Sequence, residues 1–347
     1  MKHLIFKLGL QAIRLLQLDK TLSKYTQGLG AILMLHHVRP YTKKNFNPNR
    51  LLEITPEFLD ETLMLIRNKG FEIISMDDVP NRICNPKANR PFIAITLDDG
   101  YNDLVEHALP VFKKHQAPFT AYMTTGFADG IAPLWWLDLE HAIQKLDFIS
   151  LEIDDMKFEY DAQTHNKKTA AFKAVYWRLR ATAEETLRKV IAALASQAGI
   201  DSSATTSQLC LDWDGIRQLS KEPLATIGAH TLTHPMVAKH SSDFAQKEIE
   251  HSKAIITREI GKQVQHFAYP VGDYTSAARR DFALAKAAGF MTGVTTRPGM
   301  VFAEHKDHLH ALPRLSVNGL FQNTRDLDTL LSGVPFALIN RGRRLNV

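Results

Sequence analysis

Two short clusters of polar residues carry the side chains best suited to metal-assisted chemistry. The first is DDG at residues 98–100, which follows the apolar segment PFIAITL at residues 91–97. The second is HTLTH at residues 230–234, which places two imidazoles four residues apart. One carboxylate and two imidazoles make a three-ligand site with a coordination position left for water, as in catalytic zinc centres. The second aspartate would remain available as a base, and this set suffices for metal-assisted hydrolysis.

Each cluster also has a simpler interpretation on its own. Asp-Gly is a common turn signal, and an isolated HxxxH spacing is often a pair of hydrogen-bonded polar residues. Pro235 disfavours the α conformation at His234, so we expect the histidine pair in a turn or loop. Adjacent carboxylates at the end of a buried strand are costly unless a cation or donors neutralise them. Together, the two clusters favour the metal site. A third cluster, FAYPVGD at residues 267–273, is by itself typical of a rigid turn that closes a strand.

The segments that must position these clusters alternate between apolar strands and helices. Strands are predicted at residues 30–38, 71–75, 91–97, 118–123, 224–228, 266–269 and 291–295. Helices are predicted from Thr55-Pro56 to Gly70, at 104–115, at 242–260 and near 277–288. This alternation predicts a parallel α/β architecture, in which sites form at the carboxyl ends of the strands. The pattern is interrupted at about 130–213, where a hairpin at 151–160 and a long helix at 167–197 predict an insertion.

Three motifs in this order resemble those of the polysaccharide deacetylase family, carbohydrate esterase family 4, which includes the chitooligosaccharide deacetylases. They are TLDDG at 96–100, HTLTH at 230–234 and FAYPVG at 267–272. In addition, LHH at 35–37 and LPRL at 312–315 resemble segments of the poly-N-acetylglucosamine deacetylase branch. The resemblance covers roughly residues 33–316. It implies a distorted (β/α) barrel, usually of seven strands, with the site at the carboxyl ends of those strands.

The resemblance also implies a role for each matching residue. Asp99, His230 and His234 would ligate a divalent metal, most often Zn²⁺, with Co²⁺, Ni²⁺ or Fe²⁺ as alternatives. Asp98 would be the general base, and the backbone N–H of Tyr101 would help to hold the oxyanion.

The chain departs from the family pattern at two positions that matter for catalysis. The third motif lacks the arginine that often pairs with the catalytic aspartate, so Arg314 is predicted to supply that cation. A closing Leu-x-His motif is missing, so His36 or His37 is the candidate for the missing acid. Contacts with the substrate are expected from Trp136 in the insertion and from four residues of the third motif, Tyr269, Pro270, Gly272 and Asp273.

Composition narrows the class of protein. The 347 residues are 45% hydrophobic and 23% charged, which is ordinary globular usage and excludes a disordered or coiled-coil chain. A multi-span membrane protein is excluded because the sequence has no apolar stretch of about 18 residues. Cys84 and Cys210 are too few for a disulfide framework or a four-cysteine zinc site. The net charge of +5 is mild, and without a basic stripe we expect no nucleic-acid partner.

Residues 1–28 are expected to form an amphipathic helical segment, 29–335 the barrel with its insertion, and 336–347 a basic tail. Lys7 and Arg14 interrupt the apolar N-terminal run, so a cleavable signal peptide is not evident. Two interpretations of this helix remain open, packing on the protein's own core or peripheral contact with a membrane. We therefore expect the protein in the cytoplasm or on the cytoplasmic face of the membrane, which cell fractionation tests.

The predicted function is that of a metal-dependent hydrolase. It would remove N-acetyl groups from a sugar of a cell-envelope polysaccharide, a lipopolysaccharide or a lipid-linked saccharide. Its partner would be an acetylated saccharide or glycolipid. One alternative is an O-acetyl esterase or another amidase that uses the same metal site. The other is a barrel that binds glycan without turnover.

Overall fold

A computed structural model describes residues 2–86 and 90–347 of the chain. Strands and helices are numbered in chain order. The strands are β1 Gly30–Leu35, β2 His37–Val38, β3 Glu53–Ile54, β4 Glu72–Ile74, β5 Phe92–Leu97, β6 Phe119–Met123, β7 Phe148–Ile153, β8 Met156–Asp161, β9 Ala225–Ala229, β10 His266–Ala268, β11 Thr292–Pro298 and β12 Leu312–Ser316. The helices are α1 Lys2–Leu15, α2 Leu18–Thr21, α3 Ser23–Thr26, α4 Pro56–Asn68, α5 Val79–Cys84, α6 Leu109–Lys114, α7 Thr125–Ala128, α8 Trp135–Lys145, α9 His165–Ala181, α10 Glu184–Gln197, α11 Ser202–Leu209, α12 Trp213–Leu219, α13 Ser242–Ile260, α14 Arg279–Ala287, α15 Thr324–Leu331 and α16 Val334–Ile339.

Within the described residues, seven parallel strands close into a barrel in the order β1, β12, β11, β10, β9, β6, β5 and back to β1. The strand β4 pairs with the first half of β5, whereas β6 pairs with its second half. The predicted distorted (β/α) barrel is therefore confirmed, with β4 as an additional short strand. Because all seven strands run in the same direction, their carboxyl ends meet at one mouth.

The strands are apolar on both faces because both faces are buried. β1 and β5 are buried throughout, with one side facing the barrel interior and the other the surrounding helices. Gly30, where β1 begins, lies so close to β5 that a Cβ atom would sit 1.9 Å from the Phe92 carbonyl oxygen. The absence of a side chain at this position therefore lets β1 and β5 pair and close the barrel.

Most predicted elements are present with shifts of one or two residues at their ends. The predicted cap of α4 is confirmed, since the Thr55 hydroxyl accepts from the Phe58 N–H at 3.1 Å. Helix α13 has the predicted bounds and ends at Gly261, which has φ +67°. The predicted helix at 104–115 begins as a π-helical turn, Leu104–Ala108, before α6. The predicted strand at 30–38 is divided at His36 into β1 and β2.

The insertion contains the predicted hairpin, here β7 and β8, and a group of helices. The expected single helix at 167–197 is wrong, because the chain is extended at Thr182 between α9 and α10. The two helices fold against each other and against α8, and they bury a hydrophobic cluster of their own. That cluster includes Tyr101 and Phe127 from the barrel loops, so the insertion packs onto the mouth of the barrel.

The N-terminal helix α1 packs against the barrel on one side. Leu10 and Ile13 are buried, and the Phe6 ring meets Phe321 edge to face at 5.1 Å. Arg14 forms an ion pair with Asp326 at 2.6 Å. Of the two interpretations left open for this helix, packing on the core therefore holds for one of its faces. Among the described residues, none of the helices combines the length and hydropathy needed to cross a membrane. The predicted tail at 336–347 begins within α16.

Candidate active site

The loop that follows β5 presents two buried carboxylates at the barrel mouth. Asp98 and Asp99 each have only 3% of their surface exposed. The Asp98 N–H donates to the Leu35 carbonyl at 3.0 Å, which fixes the loop to β1. Asp99 and Gly100 both have left-handed backbone conformations, with φ +73° and +68°. This sharp turn directs the two adjacent carboxylates to different partners.

The loop that follows β9 holds both histidines. His230 and His234 are buried, and the His230 Nδ1 lies 2.7 Å from the Ala268 carbonyl oxygen. A donor at Nδ1 leaves Nε2 with a free lone pair, which is the form a metal ligand requires. Thr231 and His234 have φ values of +68° and +58°, and the Thr231 hydroxyl accepts from the His234 N–H at 3.0 Å. The pair therefore lies in a turn, as Pro235 predicted.

The three predicted metal ligands converge. The Asp99 Oδ1 atom lies 3.5 Å from His230 Nε2 and 3.3 Å from His234 Nε2, and all three ligand atoms lie within 4.8 Å of one another. Tetrahedral ligands at about 2.0–2.1 Å from Zn²⁺ lie about 3.4 Å apart, so these spacings fit a metal ion. The Asp99 Oδ1 atom is buried without a hydrogen-bond partner among the described residues. An oxygen in that position is costly unless a cation balances it, so the residues fit a divalent metal.

The charge states of this cluster suit metal ligation. Burial raises the pKa of the Asp99 carboxyl, but the adjacent imidazoles of His230 and His234 outweigh it and hold the pKa well below its usual value. Burial lowers the pKa of His234, against the opposing effect of Asp99. At neutral pH the cluster therefore offers an ionised carboxylate and a neutral imidazole, which are the protonation states that bind metals.

Asp98 is held by Arg314 from the last barrel strand, as the sequence predicted. Arg314 Nη1 and Nη2 donate to Asp98 Oδ1 and Oδ2 at 2.7 and 2.6 Å. Arg314 is 1% exposed and also donates to the Thr295 carbonyl and the Thr96 hydroxyl. Burial raises the pKa of Asp98, but the charge and hydrogen bonds of Arg314 outweigh it and lower the pKa overall. Asp98 is thus an oriented, ionised carboxylate next to the metal ligands.

Tyr101 contributes a free backbone donor at the same place. The flanking Gly100 carbonyl and Asn102 N–H bond to Leu211 and Leu209 on the segment that ends the insertion. Within the described part of the chain nothing accepts the N–H of Tyr101, which matches the predicted oxyanion donor. Burial raises the pKa of the Tyr101 hydroxyl well above its usual value, so this side chain stays neutral.

His36 and His37 lie at the end of β1 and point in opposite directions. Alternate residues of a strand face opposite sides, and Ile32 faces the barrel interior, so His36 faces the interior as well. Burial lowers the pKa of His36, and this effect outweighs the opposing effects of the Asp98 and Asp99 carboxylates, which raise it. His37 instead faces Asp103, with its Nδ1 2.6 Å from a carboxylate oxygen. Of the two candidates, His36 is the one beside the metal cluster.

The insertion supports the loop that carries the metal ligands. Trp136 of α8 lies over His234, with ring centroids 4.8 Å apart, and only 6% of Trp136 is exposed. Arg188 of α10 donates to the Thr233 and His234 carbonyls at 3.1 and 3.0 Å. Buried Glu184, one helical turn earlier, accepts from the Met236 N–H at 2.6 Å and from Arg188. Trp136 therefore lies at the site as predicted. It packs over the predicted ligand His234, and little of its own surface is accessible to a sugar.

Tyr269 and Asp273 of the third motif are both held by contacts within the protein. Tyr269 has no exposed surface, its hydroxyl donates to the His310 carbonyl at 2.8 Å, and its ring packs against Phe282. The expectation that Tyr269 contacts substrate is therefore wrong, because a fully buried side chain cannot touch a sugar. The Asp273 carboxylate is engaged by Arg180 of α9 at 2.8 Å and by nearby hydroxyls. This aspartate anchors the insertion to the barrel, and its predicted contact with substrate stays a prediction.

The remaining predicted residues of this motif, Pro270 and Gly272, form a tight turn at the end of β10. Val271 and Gly272 have φ values of +60° and +58°, and the Gly272 N–H donates to the Pro270 carbonyl at 2.6 Å. A Cβ atom at 272 would lie 2.8 Å from the backbone nitrogen of Thr296. Pro270 and Gly272 thus shape the backbone of the mouth, and their predicted contact with substrate stays a prediction.

Sequence reasoning missed three residues that support the site. Glu184 and Arg188 hold the ligand loop from within the insertion, and Asp103 orients His37. The spacing of Glu184 and Arg188 gives a detectable helical ion pair, but such pairs are common on solvent-facing helices. The signal for Asp103 is its position in the acidic DDGYND segment at 98–103.

Comparison with known proteins agrees with this geometry. A family profile described as "Polysaccharide deacetylase" matches residues 85–292, which is more than half of the chain. The chain belongs to the polysaccharide deacetylase family. It is therefore a carbohydrate deacetylase, and the resemblance drawn from its motifs is confirmed. A search of curated protein sequences finds no significant match.

Several solved structures share the fold of this deacetylase at low sequence identity. Streptococcus pyogenes deacetylase PplD in complex with acetate has a TM-score of 0.57 and 18% identity, and the alignment covers 86% of this chain and 95% of that one. IcaB from Ammonifex degensii has a TM-score of 0.54 and 14% identity, with 87% and 96% coverage. The de-N-acetylase from Aggregatibacter actinomycetemcomitans has a TM-score of 0.52 and 14% identity, with 86% and 98% coverage.

Proposed function

We propose that this deacetylase is a metal-dependent hydrolase that removes N-acetyl groups from a sugar of an envelope polysaccharide, a lipopolysaccharide or a lipid-linked saccharide. The observation that carries the proposal is the convergence of Asp99, His230 and His234 beside the Arg314-bound Asp98. The solved structures of similar fold include a protein named as a de-N-acetylase, which favours the amide over the ester.

The proposed ligands of the metal are Asp99, His230 and His234. When bound, a divalent cation supplies Lewis acidity, which polarises an acetyl carbonyl and increases the acidity of water. Zn²⁺ is our first choice because one carboxylate and two imidazoles suit it, and Co²⁺, Ni²⁺ and Fe²⁺ are accepted by similar donor sets.

The chain's own residues supply the proton transfers and the placement of charge. Asp98 accepts the proton of the attacking water, because Arg314 keeps it ionised and oriented. The N–H of Tyr101 donates to the carbonyl oxygen as that oxygen gains negative charge, an interaction worth about 3 kcal/mol in comparable sites. The C–N bond breaks to give acetate and a free amine, and we assign His36 to deliver the proton that the leaving nitrogen needs.

Metal analysis combined with acetate release tests the proposal. We expect the purified protein to contain about one metal ion and to release acetate from an N-acetylated saccharide, and chelation should abolish the release. The variants Asp99→Ala and His230→Ala should lose both metal and activity. His251→Ala, which removes an exposed histidine from α13, should keep both. Full activity of the metal-free protein would exclude the proposed mechanism.

The choice of substrates separates the alternatives. The panel contains N-acetylated oligosaccharides, an acetylated glycolipid and an O-acetylated sugar, with acetate measured in each case. Release from the O-acetylated sugar alone would identify an esterase. Sugar binding without acetate release at saturating metal would identify a non-catalytic barrel. Within the panel, His36→Gln should reduce kcat more than His37→Gln does, since His36 faces the cluster.

A further inference from the structure

Helix α1 has two apolar faces, and only one of them is covered. Phe6, Leu10 and Ile13 lie on the side that packs against the barrel. At 3.6 residues per turn, a second set falls within an arc of about 120° on the other side. This second set, which we call the open stripe, consists of Leu4, Ile5, Leu8, Leu15 and Leu16, with between 54% and 84% of each residue exposed.

Exposed apolar side chains also lie on the helices next to α1. Helix α16 contacts both α1 and α3, and it exposes Leu338 and Ile339. Tyr25 of α3 is 63% exposed. Nine of the nineteen large apolar side chains that are exposed in the described residues lie in these terminal helices and their connecting turns, which make up about a tenth of the chain. Exposed apolar groups concentrated in this way mark an interaction surface.

The same segments carry all of the protein's net positive charge. Residues 1–28 and 336–347 contain eight Lys or Arg residues and one Asp, a net charge of +7. The other residues contain 34 basic and 36 acidic side chains, a net charge of −2. Exposed Lys20 and Lys24 lie on or beside α2 and α3, and exposed Arg341 and Arg343 follow α16. Arg14 and Arg344 are paired with Asp326 and Glu304, so the other Lys and Arg residues of these segments provide the basic border of the open stripe.

We propose that the open stripe and its basic border form a docking surface for a membrane that contains anionic lipids. An apolar helix face inserts shallowly at the level of the headgroups, and flanking Lys and Arg residues bind anionic phosphates. Tyrosines such as Tyr25 are favoured at this depth. A second copy of the chain fits less well, because two copies would bring together two surfaces that both carry an excess of Lys and Arg. The inference does not depend on the proposed catalytic function.

Vesicle co-sedimentation with the full chain tests the proposal. We expect binding to vesicles rich in phosphatidylglycerol, weaker binding to pure phosphatidylcholine and a decrease in binding as salt is added. The double variant Leu8→Gln/Leu15→Gln should bind about 100-fold more weakly, or about tenfold for each leucine. Gln11→Ala changes an exposed residue on the polar edge of the same helix and should alter binding less than about threefold. Arg341→Gln/Arg343→Gln should weaken binding only to the anionic vesicles.

Three results would overturn the proposal. The first is a lack of binding to either kind of vesicle. The second is equal binding by the wild type and the double leucine variant. The third is a dimer in sedimentation velocity that the double leucine variant converts to a monomer, since the open stripe would then be a contact between copies. The substituted leucines are exposed, so circular dichroism and thermal melting of the variants should match the wild type.

Discussion

Removal of Arg314 should destabilise the protein at neutral pH by a large and pH-dependent amount. Arg314→Met leaves the Asp98 carboxylate buried without its two charge-assisted hydrogen bonds. Breaking a buried ion pair from one side costs about 3–5 kcal/mol, because the remaining charge is uncompensated. Thr96 and Thr295 each lose a hydrogen bond from the charged guanidinium, worth about 1.5 kcal/mol. We therefore expect a loss of about 6–8 kcal/mol, which is a substantial fraction of the stability of an ordinary domain.

The pH dependence of this loss has a definite sign. In the native protein the pKa of Asp98 lies below its usual value, so its contribution is present above the unfolded pKa and is lost as the pH falls through the folded pKa. Without Arg314, burial is the largest remaining influence on the carboxyl and raises its pKa, against the smaller opposing effects of His230 and His36. In the variant, protonation of Asp98 then removes the uncompensated buried charge and the loss of stability that this charge causes. The difference in the free energy of unfolding between wild type and variant should therefore become smaller as the pH is lowered.

Urea unfolding followed by tryptophan fluorescence, at constant metal concentration, measures these differences. Asp98→Asn is the partner variant, and the double variant Arg314→Met/Asp98→Asn removes both charges. If the pair is coupled as the geometry indicates, the double variant should cost at least about 2 kcal/mol less than the sum of the single variants. A loss below about 1 kcal/mol for Arg314→Met, or strict additivity, would refute this reasoning.

Three further predictions concern the ligand loop, the closure of the barrel and a buried histidine. Arg188→Met should weaken metal affinity about 10- to 100-fold in a metal titration, because Arg188 holds the loop that orients the proposed ligands. The control Lys189→Met, on the exposed face of the same helix, should leave metal affinity unchanged. Gly30→Ala should prevent soluble expression or lower the melting temperature sharply, because its Cβ would meet a carbonyl of β5. The control Gly9→Ala places a Cβ in open space on a helix, so it should leave the melting temperature unchanged or raise it. Burial lowers the pKa of His305 to about 4, so its contribution to stability is full above the unfolded value of 6.5 and is lost as the pH falls toward 4. His305→Gln should therefore flatten the decline of the urea midpoint over that range, and an unchanged decline would contradict the assignment.

The proposed metal cluster was predictable because its residues lie in contiguous motifs at strand ends. Asp98 and Asp99 follow an apolar strand directly, and parallel strands bring their carboxyl ends to one mouth. Arg314 could be anticipated from its place in the last strand. Its bidentate contact with Asp98 follows from the closure of the barrel, which places β12 next to β1 and so within reach of β5.

The errors arose where side-chain direction or tertiary packing decides the outcome. Tyr269 follows Ala268, which faces the barrel interior, so the tyrosine faces the outer helices and the core. The same alternation separates His36 from His37. Glu184 and Arg188 could not be assigned because their role depends on how the insertion folds back onto the barrel, which helical periodicity does not specify.

The left-handed backbone conformations at the mouth bear on how this enzyme tolerates change. Thr231, His234 and Val271 adopt positive φ values that β-branched and bulky residues disfavour, at a cost of order 1–3 kcal/mol each. Glycine at such a position removes the steric conflict but also frees the backbone. Thr231 lies between the two proposed histidine ligands, so relief of strain there would raise thermal stability at the expense of affinity for the proposed metal. Val271 lies on a separate loop, so glycine at that position would relieve backbone strain without affecting the loop of the proposed ligands.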